Sequence, residues 1–178
     1  MVTEIIDQYY PKGRKVRDLL LTHSKLVRDK ALDIVSRHPE LMANEQLLSD
    51  GAMLHDIGII ATNAPDIDCH GTAPYIRHCV IGRKILEKSG AHHLAMFAEH
   101  HTGAGLSLHD IESGNLPLPR RDMLPTTIEE EILCFADKFY SKGKHPEKEK
   151  SLLQIREKLS QFGPQQLDRF NQWCEKFL

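Results

Sequence analysis

The chain has 178 residues, a length that fits one compact domain. It carries 23 Lys and Arg against 25 Asp and Glu, a net charge of −2, without a block of basic residues. This balance argues against a surface that coats polyanions, so no nucleic-acid polymer is expected as a partner. No apolar stretch approaches the roughly 18 residues of a membrane span, and the N-terminus lacks a signal-peptide pattern. We therefore expect a cytoplasmic protein without a membrane partner.

Two residue types stand out in the composition. The four cysteines are scattered and form no Cys-x-x-Cys pair, which predicts reduced thiols and no zinc knuckle. Eleven histidines are more notable, because imidazole is the commonest metal ligand and a near-neutral acid or base. The positions of these histidines are therefore the main question.

Helical periodicity runs through nearly the whole chain, and no stretch alternates apolar and polar residues for long enough to predict a strand. The sequence thus predicts an all-α domain. Asn44 and Thr127 are expected as N-caps and Gly58 as a left-handed C-cap, with a long ordered loop over 59–73 and an irregular stretch over 114–125. Helices are predicted over about 3–10, 15–36, 44–58, 74–88, 91–101, 107–113, 127–142, 147–161 and 164–177.

The last predicted helix carries an apolar stripe. Its members are Leu167, Phe170, Trp173, Cys174 and Phe177. Such a stripe docks either on the core of its own domain or on another chain. The stripe is therefore compatible with a single chain and with a homo-oligomer.

Four ligand-type side chains fall on apolar helix faces: His23, His55, Asp56 and Asp137. His23 has leucines one turn before it, and Asp137 follows Leu133 and Cys134. Each residue alone has a simpler explanation, since a core histidine needs only a hydrogen-bond partner and Asp137 could pair with Arg or Lys. Four inward polar residues together are better explained as a nitrogen and oxygen ligand set for a divalent metal.

Three further histidines lie near helix ends: His78, His100 and His101. Gly82 leaves the face around His78 uncrowded, and His101 stands beside the break at Thr102-Gly103. We expect His78 and at least one of the pair, preferably His101, to bind metal. The remaining histidines of helix starts and polar stretches are expected on the surface: His38, His92, His93, His109 and His145.

The ordered residues His23, His55-Asp56, His78, His101 and Asp137 resemble the signature of the HD superfamily of metal-dependent phosphohydrolases. His55-Asp56-Ile57-Gly58 resembles the HDIG variant of that motif. The resemblance covers about residues 17–142 and is strongest to a small branch of uncharacterised HDIG proteins. It extends in part to bacterial diadenosine-tetraphosphate hydrolases, whereas the glycine-tyrosine-proline element of cyclic-di-GMP phosphodiesterases is absent after His100-His101.

The resemblance implies a helical bundle with the metal centre in its middle, here a single domain over 1–178 with its core at 17–142 and C-terminal helices at about 147–177. Its mononuclear ligand set corresponds to His23, His55, Asp56 and Asp137. Members with extra histidines use the residue matching Asp56 as a bridge, and they bind a second ion through those matching His78 and His101, with His100 a further candidate. One or two ions of Fe, Mn, Zn, Ni or Co would suit these ligands.

Two cations about 3.5–4 Å apart lower the pKa of a water between them and clamp a phosphoryl group. A hydroxide held by Asp56-bridged ions would then be the nucleophile. Lys138, Arg77 and Lys84 are candidates for neutralising phosphate charge, although each could equally be a surface cation. His70, in the 59–73 loop, could contact substrate or donate a proton, or serve a structural role.

These observations predict a metal-dependent phosphohydrolase that acts on a phosphate mono- or diester, most plausibly a nucleotide or dinucleotide as its small-molecule partner. One alternative is an HD-fold di-iron oxygenase, because some HD-fold proteins use nearly the same ligands to activate oxygen. Another is a nucleotide-binding module that retains metal without turnover.

Overall fold

The computed structural model describes residues 1–143 and 145–178, and its regular structure is almost all helix, as the periodicity predicts. Within that part of the chain no helix is both long and apolar enough to cross a membrane. Short 3-10 turns connect several of the helices, the most important of them at Ile57–Ala61 and Tyr75–Arg77. The α-helices of the described residues are α1 (Val2–Tyr9), α2 (Lys15–Arg37), α3 (Glu45–Leu54), α4 (His78–Lys88), α5 (Ala95–His100), α6 (Leu108–Ser113), α7 (Ile128–Asp137), α8 (Leu152–Ser160) and α9 (Pro164–Phe177).

Helix α2 lies in the middle of the bundle and packs against α3 and α7. Leu20, Val27 and Ile34 recur every seven residues along it and are fully buried. A seven-residue spacing keeps side chains on one face of a helix, so this face is the core face. His23 lies on the same face and is also fully buried, which directs its imidazole to the centre of the bundle.

The apolar stripe of α9 docks on the chain's own core. Phe170, Trp173 and Phe177 are buried, and the ring of Phe170 stacks on that of Phe135 in α7 at 5.3 Å between centroids. Aromatic pairs at this separation add to the free energy of burial. The stripe is therefore accounted for within one chain.

The prediction of Gly58 as a left-handed C-cap is wrong. Helix α3 ends at Leu54, and Gly58 lies within the following 3-10 turn without a positive φ. A Cβ at Gly58 would lie 2.1 Å from the carbonyl oxygen of His78 and 2.5 Å from the amide nitrogen of Gly82. Glycine is needed here for a close approach of two backbones, and that approach places the start of α4 beside the end of α3.

The 59–73 segment contains more structure than the expected loop. Strands β1 (Asn63–Ala64) and β2 (Cys69–His70) pair antiparallel, with Asn63 opposite His70. Two other boundaries also differ from prediction, since α7 ends at Asp137 and α8 begins only at Leu152. Ser151 and Gln154 form a capping box that fixes the later start of α8. The N-caps expected at Asn44 and Thr127 are present.

Candidate metal centre

Three helix segments bring the four inward side chains of the sequence analysis together. His23 comes from α2, His55 and Asp56 follow α3, and Asp137 ends α7. The Nε2 atom of His23 lies 3.0 Å from Oδ1 of Asp137 and 3.2 Å from Oδ2 of Asp56. One potential ligand atom from each residue lies within 4.8 Å of the others, so the four can hold a metal ion.

A second group of potential ligands shares Asp56 with the first. It consists of Asp56, His78 at the start of α4 and His101 after α5. Oδ1 of Asp56 lies 3.6 Å from Nε2 of His78 and 3.4 Å from Nε2 of His101. Because Oδ2 faces the first group and Oδ1 the second, Asp56 has the geometry of a bridge between two sites.

The hydrogen bonds of three histidines determine which ring nitrogen faces the centre. Nδ1 of His55, of His78 and of His101 each lies 2.7–2.8 Å from a backbone carbonyl oxygen, which can only accept. Each Nδ1 must therefore carry a proton and donate it, so Nε2 is the atom that each ring turns to the centre, and it bears a lone pair whenever the ring is neutral. The accepting carbonyls belong to Ala52, Tyr75 and Ala98.

The arrangement of these lone pairs fits a cation. Nε2 of His78 lies only 3.0 Å from Nε2 of His101, so two acceptors face each other. Oδ1 of Asp56 is buried without a hydrogen-bond partner among the described residues. Buried polar atoms without partners are costly, and a divalent ion ligated by imidazole and carboxylate would satisfy them.

The charges of the ligands suit metal binding as well. Burial would raise the pKa of the Asp56 carboxyl, but Lys142 and His55 hold it well below its usual range. Burial and the neighbouring His101 lower the pKa of His78 to about 3, so its imidazole is neutral. Ionised carboxylates and neutral imidazoles are the states that bind a metal ion.

His55 behaves differently from His78. Burial lowers its pKa, but the carboxylates of Asp56 and Asp137 outweigh burial and raise the pKa to about 9. A proton on this ring partly neutralises the two carboxylates, and a metal ion bound at the same place would displace it. Metal binding should therefore release protons.

Two lysines face the centre. Nζ of Lys138 lies 2.8 Å from Oδ2 of Asp137 and donates to the carbonyl oxygen of His101 at 3.0 Å, so Lys138 is not a surface cation. Nζ of Lys142 lies 2.5 Å from Oδ2 of Asp56. No sequence pattern points to Lys142, because it follows the end of α7 in a polar stretch typical of a surface turn. Arg77 and Lys84 are exposed and do not line the cavity beside the centre.

Two candidate histidines lie apart from the ligand groups. His100 lies outside both ligand groups, since its Nδ1 is 2.8 Å from the Glu130 carboxylate, and only His101 of the pair faces the centre. The side chain of His70 is 61% exposed, pairs with Asp68 at 3.0 Å and does not line the cavity. Four of the histidines expected on the surface are exposed, namely His92, His93, His109 and His145. The fifth, His38, is half-buried beside Glu40.

A cavity of about 690 Å³ opens beside the centre. Ligand candidates His78, His101 and Asp137 form part of its lining. Four lysines and several apolar side chains form much of the rest: Lys138, Lys142, Lys150, Lys158, Ile76, Leu106, Leu116, Ile155, Leu159 and Phe162. The cavity is therefore suited to a ligand that combines an anionic group with an apolar one.

The fold and this centre define an all-α protein with a buried histidine and carboxylate cluster. The HD domain family model matches residues 20–141, and the chain belongs to this family. HD domains define a superfamily of metal-dependent phosphohydrolases and bind divalent metals, and the cluster described above can hold such an ion.

Three relatives show how this domain occurs elsewhere. The chain is 37% identical over 118 residues to an uncharacterised protein of Methanocaldococcus jannaschii, covering 66% of this chain and 61% of that protein. It is 33% identical over 131 residues to a tRNA (cytidine(56)-2'-O)-methyltransferase of Picrophilus torridus, covering 73% of this chain and 34% of the relative. The methyltransferase of the same name from Thermoplasma volcanium is 31% identical over 140 residues, covering 78% and 36%. The match thus spans about a third of each methyltransferase, and no solved structure matches the chain.

Proposed function

We propose that the protein is a metal-dependent phosphohydrolase that cleaves a phosphate mono- or diester of a nucleotide or dinucleotide. The observation that carries this proposal is the pair of lone pairs on His78 and His101, 3.0 Å apart, beside a carboxylate shared with a second ligand group. Such a constellation is suited to two divalent ions and has no evident purpose in a purely structural core.

The proposal assigns a role to each ligand candidate. His23, His55 and Asp137 would hold one ion, His78 and His101 the other, and Asp56 would bridge them. A pair of divalent cations so held would lower the pKa of a water molecule and neutralise charge on a phosphoryl group. Burial keeps bulk water away from these ligands, since the side chains of His55 and Asp56 are fully buried.

The two buried lysines would bind the substrate phosphate. Lys138 contacts Asp137, Lys142 contacts Asp56, and both lysines line the cavity. Their ammonium groups can therefore reach non-bridging phosphate oxygens. Positive groups placed where charge gathers stabilise the transition state.

A covalent mechanism through a cysteine thiolate finds no support in the chain. Burial raises the pKa of Cys134 to about 12 and that of Cys79 to about 11, which keeps both thiols protonated. None of the four cysteines lines the cavity. The nucleophile in the proposal is therefore water.

The deciding experiment separates three functions. Metal-free protein is reloaded separately with Mn, Fe(II), Co, Ni and Zn, and its ions per chain are counted. Hydrolysis of nucleoside monophosphates, cyclic nucleotides and dinucleoside polyphosphates is then measured by chromatographic separation of substrate and products. We expect two ions per chain and metal-dependent hydrolysis of at least one nucleotide class.

Absence of turnover with every metal would overturn the proposal. A mixed-valence iron signal after anaerobic purification would then favour the oxygenase. Tight nucleotide binding without turnover would favour the binding module.

A further inference from the structure

Much of the cavity wall comes from residues beyond the match to the HD family model, which ends at residue 141. These residues belong to α8, α9 and their flanking turns. They are Lys150, Ile155, Lys158, Leu159, Gln161, Phe162 and Gln166. The ligand candidates that line the cavity lie within the match, whereas these residues lie beyond it.

Specific hydrogen bonds fix this wall to the candidate metal centre. Nζ of Lys150 donates to the carbonyl oxygens of Lys138 at 3.1 Å and Tyr140 at 2.6 Å, which ties the start of α8 to the end of α7. The buried amide of Gln166 in α9 donates to the carbonyl oxygen of Gly105 at 2.6 Å. The wall is thus held in place before any ligand arrives, which lowers the entropic cost of binding.

Phe162 is the unusual residue of the wall. It is 62% exposed although it is a large apolar side chain, and it lines the cavity. Leu153, in α8, is similarly exposed at 65% but does not line the cavity. The exposed ring of Phe162 lies at a cavity that also contains the lysines proposed to bind phosphate. Such a ring is suited to stacking on a planar ring of a ligand.

We propose that the turn after α8 forms a nucleobase subsite, with the base stacked on Phe162 and the phosphate at Lys138 and Lys142. This inference rests on the proposed function and deepens it by assigning the part of the cavity that binds the nucleobase. The cavity volume of about 690 Å³ falls within the range of roughly 300–1,000 Å³ typical of pockets for ligands of this size. Base-specific polar contacts are not part of the proposal, because stacking accepts any base.

The test uses metal-loaded full-length protein and two probes. Adenosine carries a base but no phosphate ester to cleave, so its equilibrium binding, measured by NMR titration, reports on the base subsite alone. The second measurement is the ratio of kcat/KM for AMP to that for glycerol 2-phosphate. Loss of stacking in Phe162→Ala should weaken adenosine binding and lower this ratio by about 5- to 150-fold.

Matched variants distinguish stacking from general damage. Phe162→Tyr should restore adenosine binding, whereas Phe162→Leu, which is apolar but not planar, should not. Leu153→Ala removes an equally exposed apolar side chain of the preceding helix α8, outside the cavity, and it should keep wild-type values.

Unchanged adenosine binding in Phe162→Ala would overturn the subsite, as would a preference for glycerol 2-phosphate over AMP. The adenosine measurement decides the inference even if no ester is hydrolysed, so failure of the proposed function remains distinguishable from failure of the subsite.

Discussion

The Nε2 atoms of His78 and His101 face each other at 3.0 Å, while the Nδ1 atom of each ring donates to a backbone carbonyl. This places two acceptors in contact inside the protein, a repulsive arrangement unless a cation lies between them. Asp56 stands 3.4 Å from one of these atoms and 3.6 Å from the other, and its second oxygen faces the other ligand group. The relationship makes the number of bound ions the quantity that tests the centre most directly.

Replacing His101 should lower the number of bound metal ions, whereas replacing its neighbour His100 should not. His101→Gln removes a candidate ligand of the second group and should reduce bound metal from two ions per chain toward one. His100→Gln, one residue away, breaks only the pair with Glu130 and should leave the metal count unchanged. Elemental analysis of both variants after dialysis checks this, with circular dichroism to confirm folding. Equal metal content in the two variants would place His101 outside the site.

Asp56→Asn should impair both ion sites at once, because the carboxylate is shared between the two groups. Loss of a residue that hydrogen-bonds to a metal ligand lowers metal affinity about 10- to 100-fold, so loss of the bridging ligand itself should lower metal affinity by at least this much. Hydrolysis should fall with metal content. Asp66→Asn, the same change at an exposed residue of the following segment, is the control. An Asp56 variant that retains two ions would contradict the bridge.

Lys142→Gln should affect the metal-free protein more than the metal-loaded one. Nζ of Lys142 contacts the fully buried carboxylate of Asp56 at 2.5 Å, and removing one partner of a buried pair commonly costs about 3–5 kcal/mol. For Lys142→Gln we expect the free energy of unfolding of the metal-free protein to fall by about 2 kcal/mol, because the Lys142 side chain is 14% exposed. The metal-induced rise in Tm should be larger than in wild type, since a cation replaces the lost charge. Exposed Lys148→Gln is the control, and an unchanged metal-free Tm would refute the expectation.

Glu99→Gln should destabilise the protein in a pH-dependent way. Burial would raise the pKa of Glu99, but its pairs with Arg83 and Arg121 outweigh burial and lower it. The stabilisation is therefore fully present above the unfolded pKa of about 4.3 and is lost as the pH falls through the lower folded pKa. At neutral pH the free energy of unfolding of the variant should be about 1–2 kcal/mol lower than that of the wild type, since water can solvate both arginines once the carboxylate is gone.

Urea denaturation at decreasing pH measures this effect. The wild-type and Glu99→Gln curves should converge in acid, whereas Glu112→Gln, at an exposed position, should follow wild type throughout. A gap that stays constant down to the acid limit would show that packing and not charge is responsible.

Local sequence patterns were sufficient for the helical class and for several helix ends. Asn44 and Thr127 cap helices because a short polar side chain binds the amide three residues on, a contact that needs no distant partner. The inward position of His23 and Asp137 followed equally from helical spacing, since polar residues on an apolar face must point to the core.

Tertiary packing decided what those patterns left open. Only the meeting of α5 with α7 sends His100 to Glu130 and leaves His101 facing Asp56, and adjacent residues in one sequence offer no way to choose. Gly58 is explained by the His78 backbone beside it, a contact between segments twenty residues apart, and not by a left-handed turn. Lys142 and Phe162 likewise gain their positions from how the chain folds back after α7. Local periodicity determines which face of a helix is buried, whereas the pairing of buried groups depends on contacts distant in sequence.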